Sequence, residues 1–363
     1  MDQKLRVLVV DDTITYRKIV GSVLAEMPDV EVVGTAANGK IALDKIAQTR
    51  PDLLLLDLEM PEMGGLELLR RLKAAGSPVG AIVLSALTSH DSRSTLDCLA
   101  LGAFDFILKP ASGTFEENLR RIREELAPRV AAFARRCEVR GLLAGVRRVA
   151  AAPPSPPPMP PPRPTAARPE VVAIGISTGG PAALGEMLPR LPAGLRAAVL
   201  IVQHMPPVFT RSLAEDLDRK CRLRVFEARD GDAVEKGRVL IAPGGRQMKV
   251  CREGDRVLVR LTDDPPENSC RPSADYLFRS VASVYGPRAL GVIMTGMGND
   301  GAAGCREIKA QGGWLLAQDA ASCVVFGMPR QPIQEGIVDM VAPLDRLDQE
   351  VVRIVEKGRP ACT

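Results

Sequence analysis

The chain has 363 residues, enough for about two domains, and with 46% hydrophobic residues each can bury a full core. A formal net charge of +4 is too small to argue for nucleic acid by itself, and no apolar run reaches membrane-spanning length. The opening residues MDQKLRVLVVDD do not read as a secretory leader, because charges interrupt them. The cysteines at 98, 137, 221, 251, 270, 305, 323 and 362 form no C-x-x-C pair and no zinc spacing, so free thiols in a reducing cytoplasm are expected.

Residues 5–125 alternate apolar strands with amphipathic segments. Strands are predicted at Leu5–Val10, Val30–Ala36, Leu53–Asp57, Ala81–Ser85 and Phe104–Leu108, with helices between them such as Ile14–Met27 and Gly39–Gln48. That alternation implies a doubly wound parallel sheet, whose ligands bind at the carboxyl ends of its strands. The polar residues at those ends are Asp11 and Asp12, Asp57, Ser85, and Lys109 before Pro110. Carboxylates converging on one edge call for a cation, and an oxygen-only ligand set suits Mg²⁺. One exposed acid there could accept a phosphoryl group, with Lys109 pairing its oxygens and Ser85 hydrogen-bonding them. Helix capping would explain Asp12 or Asp57 singly, but not a polar residue at every one of these strand ends.

Residues 116–150 carry Leu119, Ile122, Leu126, Val130 and Phe133 at helical spacing, with the arginines expected on a solvated face. Residues 151–169, AAPPSPPPMPPPRPTAARP, cannot build a core and read as a semi-rigid extended tether.

A second α/β domain is expected over 170–357. The apolar run Val171–Ile176 reads as a buried strand. It leads through Gly175-Ile176-Ser177-Thr178-Gly179-Gly180 into a helix opened by Pro181. The Gly175-x-Ser177-x-Gly179 spacing fits a turn that exposes a nucleophilic serine beside backbone N–H groups. A phosphate-binding turn or a plain tight turn fits as well. Strands follow at Ala197–Val202, then Arg238–Ala242, Gln247–Cys251 and Val257–Leu261 as a short antiparallel group turning at Glu253-Gly254-Asp255. Next come Ala289–Met294 and a last strand at Trp314–Ala317. Ser273 is placed to cap one helix, and Ala302–Gln311 reads as another. Of the two histidines, His90 lies in a polar loop, whereas His204 follows an apolar strand. Asp300 lies beyond another strand and before a helix. Ser177, His204 and Asp300 therefore fall at one edge of one sheet, as nucleophile, base and orienting acid. Their chain order differs from the Ser–Asp–His order of α/β hydrolases, which disfavours that fold but not the chemistry.

LVVDD, LLLLDLEMPEMGGLELL, VLSAL and GAFDFILKP resemble the receiver domains of two-component response regulators. The resemblance implies Asp57 as phospho-acceptor, and Asp11 and Asp12 as Mg²⁺ ligands completed by Asp57 and the Glu59 carbonyl. Ser85 and Phe106 would be a switch pair, with Phe106 rotating inward on phosphorylation.

The second domain resembles the catalytic domain of the chemotaxis protein-glutamate methylesterases, the CheB family. The likeness runs through IGISTGGP, QHMPPVFTRSLAEDLD, LIAPGG, RPSADYLFRSVA, VIMTGMGNDGAAG and DAASCVVFGMPRQPI. It implies Ser177 as nucleophile, His204 as base and Asp300 as orienting acid, with the Thr178 and Met297 backbone N–H groups as the oxyanion site. Cys270 stands where many relatives carry histidine.

The resemblance implies a receiver over 1–125, a helical then proline-rich linker over 126–169 and a methylesterase domain over 170–357. The expected activity is a cytoplasmic, phosphorylation-activated serine hydrolase. It would demethylate glutamate methyl esters and deamidate glutamines on methyl-accepting chemotaxis receptors. Its phosphodonor would be a chemotaxis histidine kinase and its cofactor Mg²⁺ in the receiver, with none for hydrolysis. No nucleic acid, no membrane insertion and a monomeric state are expected. A DNA-binding effector is disfavoured because 170–357 shows no helix-turn-helix pattern or basic cluster. A nucleotide-dependent oxidoreductase is disfavoured because Ser177 takes the second glycine's place.

Overall fold

The computed structural model describes residues 4–86, 88–145 and 167–358. They fall into two compact units, one before and one after residue 150. Most of the expected proline-rich tether, residues 151–166, and the predicted helical residues 146–150 lie outside the described residues.

The first unit alternates β1 (Leu5–Val10), α1 (Ile14–Ala25), β2 (Val30–Ala36), α2 (Gly39–Thr49), β3 (Leu53–Asp57), α3 (Gly65–Ala74), β4 (Gly80–Ser85), α4 (Ser89–Leu101), β5 (Asp105–Leu108) and α5 (Phe115–Gly145). The sheet is fully parallel in the order β2-β1-β3-β4-β5. All five residues of β3 are buried, as a central strand covered on both faces requires. The strand order reverses between β1 and β3, the place where sheets of this kind bind their ligands.

The arginines of α5 differ in part from expectation. Arg129 is largely buried and pairs with Asp105 of β5 at 3.2 Å, and Arg136 lies over the Phe104 ring. Phe104 also meets Phe133 edge-on at 5.2 Å between centroids. These two arginines bind the helix to the sheet, while Arg120, Arg121, Arg123 and Arg135 are solvated.

The second unit comprises β6 (Val171–Ile176), α6 (Gly180–Met187), β7 (Ala198–Gln203), α7 (Pro207–Lys220), β8 (Arg224–Glu227), β9 (Arg238–Ile241), β10 (Gln247–Glu253), β11 (Arg256–Thr262), α8 (Ala274–Tyr285), β12 (Ala289–Ile293), α9 (Ala302–Ala310), β13 (Trp314–Gln318), α10 (Arg330–Gln334), β14 (Met340–Ala342) and α11 (Leu344–Lys357). Seven strands form one parallel sheet in the order β14-β13-β12-β6-β7-β9-β8.

Three expectations change. The segment around Arg238 joins the main sheet, parallel to β7, because its apolar Val239–Ile241 is buried between β7 and β8. Only β10 and β11 are antiparallel, as a hairpin turning at Gly254 and Asp255. Trp314–Gln318 is not the last strand, since β14 pairs beyond it.

The hairpin packs on α8. Met248, Val250 and Val259 share one core with Leu277, Phe278 and Val281. That packing holds α8 with its N-terminus toward the carboxyl edge of the sheet. Among the described residues, no helix is long and apolar enough to cross a membrane.

Candidate active site

β6 lies between β12 and β7 at the point where the strand order of the second sheet reverses. Ser177 follows β6 directly. Its N–H donates to Thr295 O (3.0 Å), and its carbonyl accepts from Gly180 N–H (2.7 Å) and from Gln203 Nε2 (3.0 Å). Gly179 turns the chain into α6 at φ 79°, where a Cβ would also sit 2.5 Å from Val324 Cβ. Glycine is therefore required by conformation and by space. The turn is pinned on three sides.

His204 follows β7, and its N–H donates to Ile176 O (3.2 Å), which sets it beside the serine turn. Its Nε2 is 2.8 Å from Asp300 Oδ2. Asp300 is not at the strand end itself, because β12 stops at Ile293 and Asp300 lies in the loop that follows. Nor does it cap the helix after it, since Gly301 is the cap residue of α9. It reaches instead to the start of α8. Oδ2 accepts from Ala274 N–H (2.6 Å), and Oδ1 accepts from Ser273 Oγ (2.7 Å), Asn268 Nδ2 (3.0 Å) and Asp275 N–H (3.3 Å). Ser273 caps α8 as expected, accepting from Tyr276 N–H.

Burial raises the Asp300 carboxyl, but the hydrogen bonds and charge of His204, with Ser273 and Asn268, outweigh it and hold the group at about 2. Burial lowers the His204 imidazole, yet the bonds to Asp300 and Cys270 lift it to about 9. Nδ1, the nitrogen that Asp300 leaves available, is 3.6 Å from Cys270 Sγ. Among the described residues, no hydrogen bond joins His204 to Ser177. The His204–Asp300 pair is assembled, and the serine follows the adjacent strand without a hydrogen bond to it among the described residues.

The expected oxyanion donors lie on the loops after β6 and β12, whose strands are paired. Thr178 is buried and its carbonyl accepts from Thr295 Oγ1 (3.0 Å); Met297 is half-buried. Gly296 was not anticipated. A Cβ there would sit 2.8 Å from Ser177 Cβ and 2.2 Å from Met328 Sδ, so only glycine lets this loop approach the serine.

In the first unit, Asp11, Asp12 and Asp57 bring carboxylate oxygens within 4.8 Å of one another at the β1–β3 edge. Lys109 Nζ lies 2.7 Å from Asp11 Oδ2 and 2.8 Å from Asp57 Oδ2. Burial lifts Asp57 to about 6. Asp11 adds to the rise, and Lys109 and the Leu58 N–H oppose it. One lysine therefore leaves the buried negative charge uncompensated, and the donors are hard oxygens, so these residues fit a small divalent cation.

Ser85 is buried, donating to Ala86 O (3.2 Å) and accepting from Thr95 Oγ1 (2.8 Å). Phe106 is already buried at 7% exposure, so it does not start from the outward position that an inward rotation requires. The Glu59 side chain turns to His90 Nδ1 at 3.6 Å, and His90 sits on the first turn of α4 rather than in a loop. Two supports went unread in the sequence. Tyr16 lies under Lys109 (4.7 Å) and donates to Pro110 O (2.7 Å). Arg17 donates to the carbonyls of Asp11 (2.5 Å) and Asp12 (2.9 Å).

A family model described as CheB methylesterase matches residues 172–351, and one described as response regulator receiver domain matches 7–120. A protein of Desulfotalea psychrophila named protein-glutamate methylesterase/protein-glutamine glutaminase is 49% identical over 369 residues, spanning 98% of this chain and 99% of that one. The chain is an enzyme of this family. A Trichodesmium erythraeum protein of the same name is 44% identical across 96% of this chain and 99% of its own. The crystal structure of the Thermotoga maritima CheB methylesterase catalytic domain, 40% identical, superposes with TM-score 0.51 over 52% of this chain and 99% of that one. Within the family scaffold, Asn268, Gln203, Gly296 and the N-terminus of α8 are parts of the site that motif spacing did not single out.

Proposed function

We propose that this chain is a phosphorylation-activated serine hydrolase that removes methyl groups from glutamate methyl esters, and ammonia from glutamines, on methyl-accepting chemotaxis receptors. The observation that carries the reading is the Asp300–His204 pair at 2.8 Å beside the Ser177 turn, on the loops that follow three neighbouring parallel strands. Family membership supports the substrate class.

The Nε2–H of neutral His204 is donated to Asp300, which leaves Nδ1 as the base. Ser177 Oγ attacks the ester carbonyl as its proton passes to Nδ1. The backbone N–H groups of Thr178 and Met297 receive the oxyanion, each worth roughly 3 kcal/mol to the transition state. His204 returns the proton to the leaving oxygen and methanol departs. Water then attacks the acyl-serine, giving its proton to His204, and glutamate is released with Ser177 restored. A glutamine side chain follows the same steps with ammonia leaving.

The receiver is proposed over 1–125, joined by residues 126–169 to a catalytic domain over 170–357. Asp57 is its phosphoryl acceptor, and a chemotaxis histidine kinase is the donor. Asp11, Asp12, Asp57 and the Glu59 carbonyl would hold Mg²⁺, which supplies neutralisation of the transferring phosphoryl oxygens. Lys109 pairs the bound phosphoryl group, and Ser85 leaves Thr95 to hydrogen-bond it, with Phe106 as its switch partner. The unphosphorylated receiver restrains the hydrolase and phosphorylation relieves it.

The test is methanol release from membranes carrying methylated receptors. Wild type should release it and Ser177→Ala should not. Equal release by both would remove the serine from the reaction.

A further inference from the structure

The sulfur of Cys270 lies 3.6 Å from His204 Nδ1, on the ring nitrogen opposite Asp300. A Zn–S bond of about 2.3 Å and a Zn–N bond of about 2.0–2.1 Å at a tetrahedral angle span roughly this separation. We propose that Cys270 Sγ and His204 Nδ1 form a binding site for a thiophilic divalent cation of the Zn²⁺ class, and that a cation held there switches the hydrolase off reversibly. The inhibitory half of the proposal rests on His204 being the base; the binding half does not.

Three further observations converge on it. Asp300 bonds the far nitrogen of the imidazole, the outer partner that fixes the tautomer of metal-ligating histidines and raises their basicity. Asp300 is itself anchored by four other donors, so the ring is aimed in advance. Cys270 is held too: its N–H donates to Glu267 O (2.8 Å) and its carbonyl accepts from Glu267 N–H (3.0 Å). Finally, Cys270 is half-buried and open to solvent, so a cation can enter and water can fill the remaining positions. Asp300 is an orienting group here and not a ligand, because a cation on Nδ1 faces away from the carboxylate on Nε2. Among the described residues, no other cluster of three His, Cys, Asp or Glu donors within 4.8 Å contains a thiol. The soft pair in the second unit and the all-oxygen acids of the first thus select different classes of cation.

Binding forms one metal–sulfur and one metal–nitrogen bond and releases to water the thiol proton and the Nδ1 proton of the imidazolium, while Nε2 keeps its proton and donates it to Asp300. The lone pair that must take the Ser177 proton is then committed to the metal.

The experiment uses the full chain in excess Mg²⁺ and titrates Co²⁺ as a spectroscopic stand-in, then Zn²⁺ as inhibitor. Wild type should develop a near-ultraviolet thiolate-to-cobalt band that is lost in Cys270→Ala and in His204→Ala. Zn²⁺ should inhibit methanol release, and chelator should restore it. In Cys270→Ala, measured against its own metal-free rate, the half-inhibiting concentration should rise at least about tenfold, the loss expected for removing even an outer partner. A cobalt band that survives Cys270→Ala would overturn the site, and equal Zn²⁺ sensitivity of both proteins would overturn the inhibition. A chain with no metal-free methanol release would count against the hydrolase reading, and the cobalt band would still decide the site.

Discussion

Asp57 and Asp300 occupy comparable places in the two units. Each lies at the carboxyl edge of a parallel sheet, near the reversal of strand order, buried and paired with one basic side chain. Their environments drive them apart. Asp57 shares its pocket with Asp11 and Asp12, receives a single backbone N–H, and rises to about 6. Asp300 has His204 and four further donors, two of them from the first turn of α8, and falls to about 2. Burial raises both; what differs is the number of donors aimed at the ionised form and the Asp11 charge beside Asp57. A carboxylate crowded by other acids is a place where a cation relieves the repulsion. A carboxylate anchored by donors stays ionised and serves as a fixed orienting charge.

The largest effects should come from the chemistry that Asp300 supports. Ser177→Ala or His204→Ala should lower methanol release by about 10⁴–10⁶ with unchanged circular dichroism. Asp300→Asn should lower it by about 10³–10⁴. The amide would set a donor against the donors of Ser273, Asn268 and α8, so unfolding free energy should also drop by about 1–3 kcal/mol. Because the folded carboxyl lies below its ordinary 3.8, this stability is present above that value and lost as pH falls through about 2. Asp300→Asn should therefore flatten the acid limb of the stability curve. An unchanged limb would mean that the donors around Asp300 do not hold it ionised.

A smaller effect concerns His204. Its raised value means that the neutral base is the minority form at neutral pH, so kcat/KM should climb about tenfold per pH unit and level off near 9. Cys270→Ala removes one of the bonds that lift the imidazole and should move the midpoint to lower pH. A profile already flat at neutral pH would contradict this.

The smallest effect sharpens the other side of the comparison. Asp57 is raised, so its ionisation opposes folding fully above about 6, and the penalty is relieved as pH falls toward 3.8. With chelator present at neutral pH, Asp57→Asn should stabilise the receiver by on the order of 2 kcal/mol. Thermal unfolding at neutral and mildly acidic pH checks this, and the gain should shrink at the lower pH.

Much of this was legible in the sequence because parallel strands buried on both faces write long apolar runs. β1, β3, β6 and β7 are such runs, and the polar residues that end them mark the edge where ligands bind. β8 and β14 were missed because Arg224–Glu227 and Met340–Ala342 are edge strands of four and three residues, too short for a run or a period to show. The amphipathic pattern of α11, buried at Leu347, Val351, Ile354 and Val355, was present and went unread. The surroundings of Asp300 could not be read locally. Asn268, Ser273 and Cys270 meet it or His204 only because the hairpin and α8 pack across the sheet edge, and no short-range spacing records that packing.

The most direct test of the division between the two aspartates is a crossed measurement on the full chain: incorporation of label from a small phosphodonor with Mg²⁺, and methanol release, each in wild type, Asp57→Asn and Asp300→Asn. Asp57→Asn should take up no label and lose the response to phosphodonor while keeping the unstimulated rate. Asp300→Asn should label normally and release almost no methanol. Label in Asp57→Asn, or near-wild-type methanol release in Asp300→Asn, would contradict the account.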